Sequence, residues 1–268
     1  IIVTKIKLWI SDIDGTLINY DGSCTPLMMD VIKKVNNSSA KLILATGRMY
    51  MGAKYASDKF NLNNPIVCYQ GAVVRTKDKI LWCSNVKKEI AREVISYLRN
   101  KKIHTHVYDE DILYTEDDNK EIMDAYCKGR GTTYEVINFD ELKLNSVAKI
   151  LAVIQDKKIM EETKKDLAQK YKGILTIVQS SNEYLEITDK NASKGNALNF
   201  LKKYYNVSTS EVLASGDQDN DIDMLNNAGI KIAVGKNSEK LLLCADYKCE
   251  SVNSDELPKL IERFILCE

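Results

Sequence analysis

Long apolar runs are missing from this sequence of 268 residues. No stretch of 18 consecutive apolar residues occurs, so nothing in the sequence predicts a membrane-spanning helix. The first twelve residues carry no basic segment before their apolar run and no small-residue cleavage site, so we do not interpret them as a signal peptide. We therefore expect a cytoplasmic protein without a membrane partner.

An excess of charge of either sign is also missing, since 38 Lys and Arg residues balance 38 Asp and Glu residues. That balance argues against a nucleic-acid partner, because such proteins bind by neutralising many phosphates. The seven cysteines are scattered and lack CxxC spacing, which predicts reduced thiols rather than a disulfide framework or a zinc site. Walker A, GxGxxG and GxSxG patterns are absent, so no function can be based on them.

The hydrophobic fraction of 44% and the charged fraction of 28% are those of an ordinary globular protein. Short buried strands at residues 6–10, 41–45 and 65–69 alternate with helices, the first of which begins with Thr25 and Pro26. This rhythm predicts an α/β fold with a doubly wound parallel sheet. After residue 82 antiparallel strands interleave with helices, which indicates an inserted α+β domain of roughly 100 residues before the α/β rhythm returns.

Four short polar stretches lie at predicted strand ends or helix starts: DIDGT at 12–16, TGR at 46–48, SKG at 193–195 and GDQDND at 216–221. In a doubly wound sheet such stretches converge on one crevice. Their carboxylates, hydroxyl and ammonium suit phosphoryl transfer, with Mg²⁺ held by one or two carboxylates and phosphate oxygen. Thr46 and Lys194 would hold the remaining phosphate oxygens.

Each stretch also has a purely structural interpretation. The DxDG sequence is common in turns, and Lys194 alone would be a solvated charge at the start of a helix. Asp217 and Asp221 could be acidic residues that favour a helix N-terminus. Independent turns rarely combine in this order, however, so the four stretches together favour a functional site.

In this order and spacing, DIDGTL, ATGR, SKG and GDQDND resemble the motifs of the haloacid dehalogenase-like superfamily. The insertion between the second and third motifs resembles that of its Cof-like branch, and the resemblance covers essentially the whole chain. It implies a Rossmann-like core at 1–82 and 186–268 and an inserted α/β cap at 83–185. It also implies a Mg²⁺-dependent phosphatase for a small phosphomonoester such as a sugar phosphate, a nucleotide or a phosphorylated cofactor.

The resemblance also implies roles for single residues. Asp12 is similar to the nucleophile that forms an aspartyl-phosphate, and Asp14 to the general acid and base. The implied Mg²⁺ ligands are Asp12, the backbone carbonyl of Asp14 and Asp217, with Asp221 close behind them and acting on the ion through another ligand or a water molecule. The implied phosphate-binding residues are the Ile13 amide, Thr46, Gly47, Lys194 and Asn220. The sequence departs from the branch at Gln70, where Asn is frequent, and this puts the local contact of residue 70 in question.

Three alternatives stay open at this point. A phosphomutase would use the same aspartyl-phosphate but return the phosphoryl group to its substrate. A receiver-like phospho-accepting module also combines acidic residues with Thr or Ser and Lys, although Asp14 and the large insertion argue against it. His104 and His106 point to the same side of a predicted strand and could form a metal pair, but no third ligand is near in the sequence. The sequence carries no signal for an oligomeric state.

Overall fold

The computed structural model describes residues 5–128 and 132–266. The strands are β1 (Leu8–Ser11), β2 (Lys41–Ala45), β3 (Ile66–Cys68), β4 (Val73–Arg75), β5 (Ile80–Cys83), β6 (His104–Asp109), β7 (Ile112–Thr115), β8 (Tyr134–Val136), β9 (Val147–Val153), β10 (Leu175–Gln179), β11 (Tyr184–Asp189), β12 (Val212–Gly216), β13 (Ile230–Val234) and β14 (Tyr247–Cys249). The α-helices are α1 (Pro26–Asn36), α2 (Tyr50–Lys59), α3 (Lys88–Asn100), α4 (Lys120–Cys127), α5 (Lys157–Lys170), α6 (Lys194–Tyr205), α7 (Ile222–Asn226), α8 (Glu239–Cys244) and α9 (Glu256–Ile261).

The chain divides into two compact units. The first takes in the described residues up to Gly47, Ala53–Trp82 and the described residues from Ser193 onward, and the second takes in Arg48–Gly52 and Cys83–Ala192. The return to the first unit thus falls at Ser193 and not at the expected residue 186. The reason is that β11 runs to Asp189 and pairs with β10 along its length, which keeps it in the second unit.

The sheet of the first unit has the order β14-β13-β12-β1-β2-β3-β4-β5. The strands from β14 to β3 are parallel, and β4 pairs antiparallel with β3. Leu8, Trp9 and Ile10 of β1 are completely buried, because a parallel sheet is covered on both faces. The predicted α/β fold with a doubly wound parallel sheet is confirmed.

Local signals explain where the helices of this unit begin. The Thr25 hydroxyl oxygen accepts a hydrogen bond from the Met28 amide at 3.2 Å, and proline occupies the first position of α1. The Ser193 hydroxyl oxygen accepts from the Asn196 amide at 3.0 Å in the same way and starts α6. This cap fixes Lys194 as the first residue of that helix.

The sheet of the second unit has the order β10-β11-β9-β6-β7-β8. Its strand pairs are antiparallel except for β7 and β8, which are parallel. Helices α3 and α5 pack on this sheet through a separate hydrophobic core that includes Val94, Leu98, Ile150 and Leu185. Within the described ranges, none of the helices combines the length and the apolar composition that a membrane crossing requires.

Candidate active site

The ends of three adjacent strands carry the predicted site. Asp12 follows β1, Thr46 follows β2 and Asp217 follows β12, and β1 lies between the other two strands in the sheet. Because these strands are parallel, their carboxyl ends meet at one edge, where ligands bind in open α/β sheets. The predicted convergence of the motifs is therefore visible in the first unit.

Lys194 is the centre of the site. Its ammonium nitrogen lies 2.5 Å from Asp12 Oδ1 and 2.6 Å from Asp221 Oδ1, and its side chain is 1% exposed. Lys194 is thus not a solvated charge at the start of a helix. It holds together two carboxylates that are separated by more than two hundred positions in the sequence, through two charge-assisted hydrogen bonds.

Burial and the charge of the ion-pair partner shift the pKa values of this cluster in opposite directions. Burial alone would lower the pKa of Lys194, but the charges of Asp12 and Asp221 outweigh it and raise that pKa above its usual value. Burial raises the pKa of Asp12 well above its usual value, opposed by Lys194 and reinforced by Asp221 and Asp217. The negative charge of these aspartates is therefore only partly balanced by Lys194.

Asp217 and Asp221 come from the turn that follows β12. Asp221 is completely buried, and its Oδ2 accepts hydrogen bonds from the amides of Asp217 at 3.0 Å and Gln218 at 3.2 Å. Burial, with repulsion from Asp221, raises the pKa of Asp217 to about 6. Asp221 thereby shapes the loop that presents Asp217, in addition to accepting a hydrogen bond from Lys194.

The acidic residues fit a hard divalent cation. One carboxylate oxygen from each of Asp12, Asp217 and Asp221 lies within 4.8 Å of the others, and no other such group of His, Cys, Asp or Glu was found in the part of the chain that the structure describes. Oxygen ligands are those that Mg²⁺ prefers, and a cation would relieve the repulsion that raises the pKa of Asp12 and Asp217. The carboxylate of Asp14 is not part of this group, and the metal contact predicted for its backbone carbonyl stays a prediction.

The glycines of two motifs are required by the close approach of an aspartate. Gly15 has a φ of +84°, and a Cβ atom there would lie 2.5 Å from Asp217 Oδ2. A Cβ atom on Gly216 would lie 2.4 Å from the Cβ of Asp221. Any larger residue at either position would displace a carboxylate of the acidic group.

The predicted phosphate-binding residues Thr46, Gly47 and Asn220 all lie beside Gln70. The Thr46 carbonyl accepts a hydrogen bond from the Gln70 amide at 3.0 Å, and a Cβ atom on Gly47 would lie 2.4 Å from Gln70 Nε2. The Asn220 side-chain amide donates to Gln70 Oε1 at 2.7 Å. Gln70, the departure noted in the sequence, thus orients Asn220, which sequence reasoning did not foresee.

Ile13 lies between the two aspartates of the first motif. Its carbonyl oxygen accepts hydrogen bonds from the amides of Leu17 at 3.0 Å and Ile18 at 3.1 Å. These bonds close the turn that carries Asp12 and Asp14. The phosphate contact of the Ile13 amide stays a prediction.

A buried chain of hydrogen bonds behind Asp12 was also missed by sequence reasoning. The Trp9 indole donates to the Ser215 hydroxyl at 2.9 Å, Ser215 donates to the Ser11 hydroxyl at 2.7 Å, and Ser11 donates to the Asp12 carbonyl at 2.8 Å. Ser11 and Ser215 are register partners in β1 and β12. A serine at the end of each apolar strand was the available signal, but its meaning depends on that register.

Comparisons with known proteins agree with this geometry. A family model described as haloacid dehalogenase-like hydrolase matches residues 9–261. A Haemophilus influenzae protein named "Putative phosphatase" is 26% identical over 96% of this chain and 97% of its own length. The HMP-PP phosphatase of Yersinia pseudotuberculosis is 23% identical over 84% of this chain and 82% of its own. The crystal structure of TM0651 from Thermotoga maritima has a TM-score of 0.87 and 28% identity, covering 96% of this chain and 97% of that one.

The chain therefore belongs to the haloacid dehalogenase-like hydrolase family. The predicted resemblance to this family is confirmed, as is the predicted enzyme class of a phosphatase. Members of the family generally use a divalent metal, and the group formed by Asp12, Asp217 and Asp221 is compatible with one.

Proposed function

We propose that this phosphatase hydrolyses small phosphomonoesters with Mg²⁺, through an aspartyl-phosphate on Asp12. The observation that carries the proposal is the Lys194 ammonium, which contacts both Asp12 and Asp221 beside Asp217. Phosphoryl transfer needs a positioned nucleophile and charges that stabilise the transferred oxygens, and these residues supply both.

In the first step a carboxylate oxygen of Asp12 attacks phosphorus, and the bond from phosphorus to the substrate oxygen breaks. Asp14 gives its proton to the departing alcohol, so that a neutral alcohol leaves. Lys194 keeps the Asp12 carboxylate in place and would stabilise the negative charge of the phosphoryl oxygens. The product of this step is an acyl phosphate on Asp12.

In the second step water attacks the phosphorus of that acyl phosphate. Asp14, now ionised, takes a proton from the water, and the bond between phosphorus and the Asp12 oxygen breaks. Inorganic phosphate leaves, and Asp12 and Asp14 return to their starting states. The Ile13 amide, Thr46, Gly47 and Asn220 would hold the phosphoryl oxygens in both steps.

Mg²⁺ would be held by Asp12, the Asp14 carbonyl and Asp217, with Asp221 behind them, and would supply positive charge against the phosphoryl oxygens. The buried carboxylates support this proposal, because they carry more negative charge than Lys194 alone can balance.

A relative and the cysteines support the proposed substrate class and compartment. A relative is named for its action on HMP-PP, which favours a small phosphorylated substrate here as well. No disulfide joins the described cysteines, which favours the cytoplasm.

The test is release of inorganic phosphate from p-nitrophenyl phosphate and from a panel of phosphorylated metabolites. We expect turnover with Mg²⁺, no turnover with EDTA, and recovery when Mg²⁺ is added again. Asp12→Asn should abolish phosphate release without changing the circular dichroism spectrum. Retained turnover in that variant would remove Asp12 as the nucleophile, and a rearranged substrate without free phosphate would indicate a mutase instead.

A further inference from the structure

The second unit contains a pocket of about 240 Å³. Its lining residues come from the C-terminal end of α3, the start of β6, the residues after β7 and the turn at Phe139. None of them belongs to the four motifs, and the proposed function does not use them. The volume lies below the roughly 300–1,000 Å³ of pockets for drug-sized ligands, so it suits a small metabolite.

One part of the pocket is apolar. Ile95 and Phe139 are almost completely buried in the hydrophobic core of the second unit, and Ile103 packs against that core. All three line the pocket, so part of its wall is rigid and suited to an aliphatic group.

Two of the charged lining residues already neutralise each other. The Arg99 guanidinium contacts Glu116 through two nitrogens, at 3.0 Å and 2.7 Å, and it also contacts Asp140 at 3.2 Å. Glu116 accepts a further hydrogen bond from the Phe139 amide at 2.7 Å. Arg99 and Glu116 therefore build the wall of the pocket, and the charges left for a ligand are those of Lys102 and Asp117.

Lys102 occupies a backbone position that normally favours glycine. Its amide donates to the Arg99 carbonyl at 2.9 Å, the Ile103 amide donates to the Leu98 carbonyl at 3.0 Å, and its φ is +56°. This is the Schellman arrangement at a helix C-terminus, in which the left-handed residue is usually glycine. Lys102 is exposed and lines the pocket, so its ammonium group is available to a ligand.

His104 lines the same pocket and carries a buried polar atom. Its side chain is 6% exposed, and its Nε2 lies 3.1 Å from Nε2 of His106. Its Nδ1 lies 3.5 Å from Asp117 Oδ2 and makes no well-formed hydrogen bond to any described residue. The nearby carboxylate favours a proton on Nδ1, so Nε2 would accept a hydrogen bond from His106.

The two histidines therefore form a hydrogen-bonded pair. No metal group that includes either of them was found among the described residues, which leaves the pair considered in the sequence without a third ligand. The polar part of the pocket thus offers the Lys102 ammonium as a donor and the Asp117 carboxylate as an acceptor.

We propose that this pocket binds a free α-amino acid with an aliphatic side chain. The ligand carboxylate would contact Lys102, and the ligand ammonium would contact Asp117. The side chain would lie on Ile103, the apolar lining residue that is only partly buried. A ligand with one charge of each sign satisfies both remaining charges of the pocket, which a simple amine or a simple carboxylate does not.

The chain has only two histidines, and both belong to this region of the second unit, so imidazole NMR signals of the full-length protein report directly on the pocket. We expect L-leucine to shift the His104 signals with a saturable dependence on concentration. Isoamylamine and isocaproate keep the aliphatic group with only one of the two charges. Each should bind at least about tenfold more weakly, the loss expected when one charge-assisted contact is removed.

Two variants assign the charged contacts. Lys102→Gly removes the ammonium group at a backbone position where glycine is favoured, and Asp117→Asn removes the carboxylate charge with little change of shape. Each should weaken L-leucine binding at least about tenfold. Lys172→Gln, a change of an exposed lysine in the same unit that does not line the pocket, should leave binding unchanged.

Two results would overturn the proposal. One is an unchanged pair of histidine signals up to the solubility limit of L-leucine. The other is L-leucine binding of equal strength in the wild type, Lys102→Gly and Asp117→Asn, or equal binding of the two analogues with a single charge.

Discussion

At the scale of single residues, the candidate active site depends on one buried ammonium group between two carboxylates. Lys194 contacts Asp12 and Asp221 at 2.5 Å and 2.6 Å, and all three side chains are largely buried. These buried charges stabilise the folded protein only when all three side chains are present. Removal of one member leaves the others charged and unpaired in a medium of low polarity.

Lys194→Ala should therefore destabilise the protein as well as abolish phosphate release. The expected loss in the free energy of unfolding is about 3–5 kcal/mol, because Asp12 and Asp221 would repel each other without a cation. Urea unfolding in EDTA measures this loss. Lys203→Ala, an exposed lysine of the same helix, is the matched control and should change the value by less than about 0.5 kcal/mol. Equal stability of the two variants would contradict the role of Lys194.

The raised pKa of Asp217 predicts a pH dependence of stability. Burial and repulsion from Asp221 raise this pKa from 3.8 to about 6. Between these two pH values the folded protein binds a proton that the unfolded chain has lost, so this group's contribution to stability falls as the pH rises. Asp217→Asn removes that contribution. In EDTA, the Tm of this variant should therefore rise relative to the Tm of the wild type as the pH increases from about 4 to about 7. A Tm difference that is constant over this range would contradict the prediction.

At the scale of secondary structure elements, the register between β1 and β12 positions the site. Ser11 and Ser215 face each other across the two strands and connect the Trp9 indole with the Asp12 carbonyl. Asp12 follows β1 and Asp217 follows β12, so this contact connects the two strands that position these carboxylates. A small shift between the strands would change the distance between the two carboxylates.

Ser215→Ala tests this connection. The substitution leaves the buried Trp9 indole N–H without its acceptor, and the expected cost is about 1–3 kcal/mol in the free energy of unfolding, measured in urea. Phosphate release should fall as well, through loosened positioning of Asp12. Ser39→Ala, at an exposed serine, provides the comparison and should have little effect on either quantity. A Ser215→Ala protein as stable as Ser39→Ala would refute the connection.

The elements that the sequence predicted correctly are those with local signals. The helix at α1 follows from Thr25 and Pro26, and β1 follows from a continuous apolar run. The contact between Gln70 and Asn220 spans 150 positions and depends on how two loops meet. The end of the second unit was placed too early, at residue 185, because that boundary separates β11 from β10, with which it pairs from Leu185 to Asp189.

At the scale of the whole molecule, the chain builds two units that each have a sheet and a hydrophobic core. We propose that the first is the catalytic core and that the second is the inserted cap. All strands of the second sheet lie between Cys83 and Ala192, so its core needs little from the rest of the chain.

A fragment of residues 83–192 should therefore fold by itself. We expect a mixed helix and strand circular dichroism spectrum and a cooperative thermal transition, because the fragment retains the complete sheet from β6 to β11 and helices α3 and α5. The fragment lacks all four motifs and should release no phosphate. A disordered fragment would contradict the independence of the second unit.

The central claim is that four distant motifs assemble so that Asp12 receives the phosphoryl group. The most direct test is acid quenching of Asp14→Asn with p-nitrophenyl phosphate and Mg²⁺, followed by peptide mass spectrometry. In the proposed mechanism Asp14 deprotonates the water of the second step, so this variant should accumulate one phosphoryl group on the peptide that contains Asp12. No phosphoryl group should appear on this peptide in the double variant that also carries Asp12→Asn. Release of nitrophenol with the phosphoryl group on another residue, or with no phosphorylated peptide at all, would contradict the account.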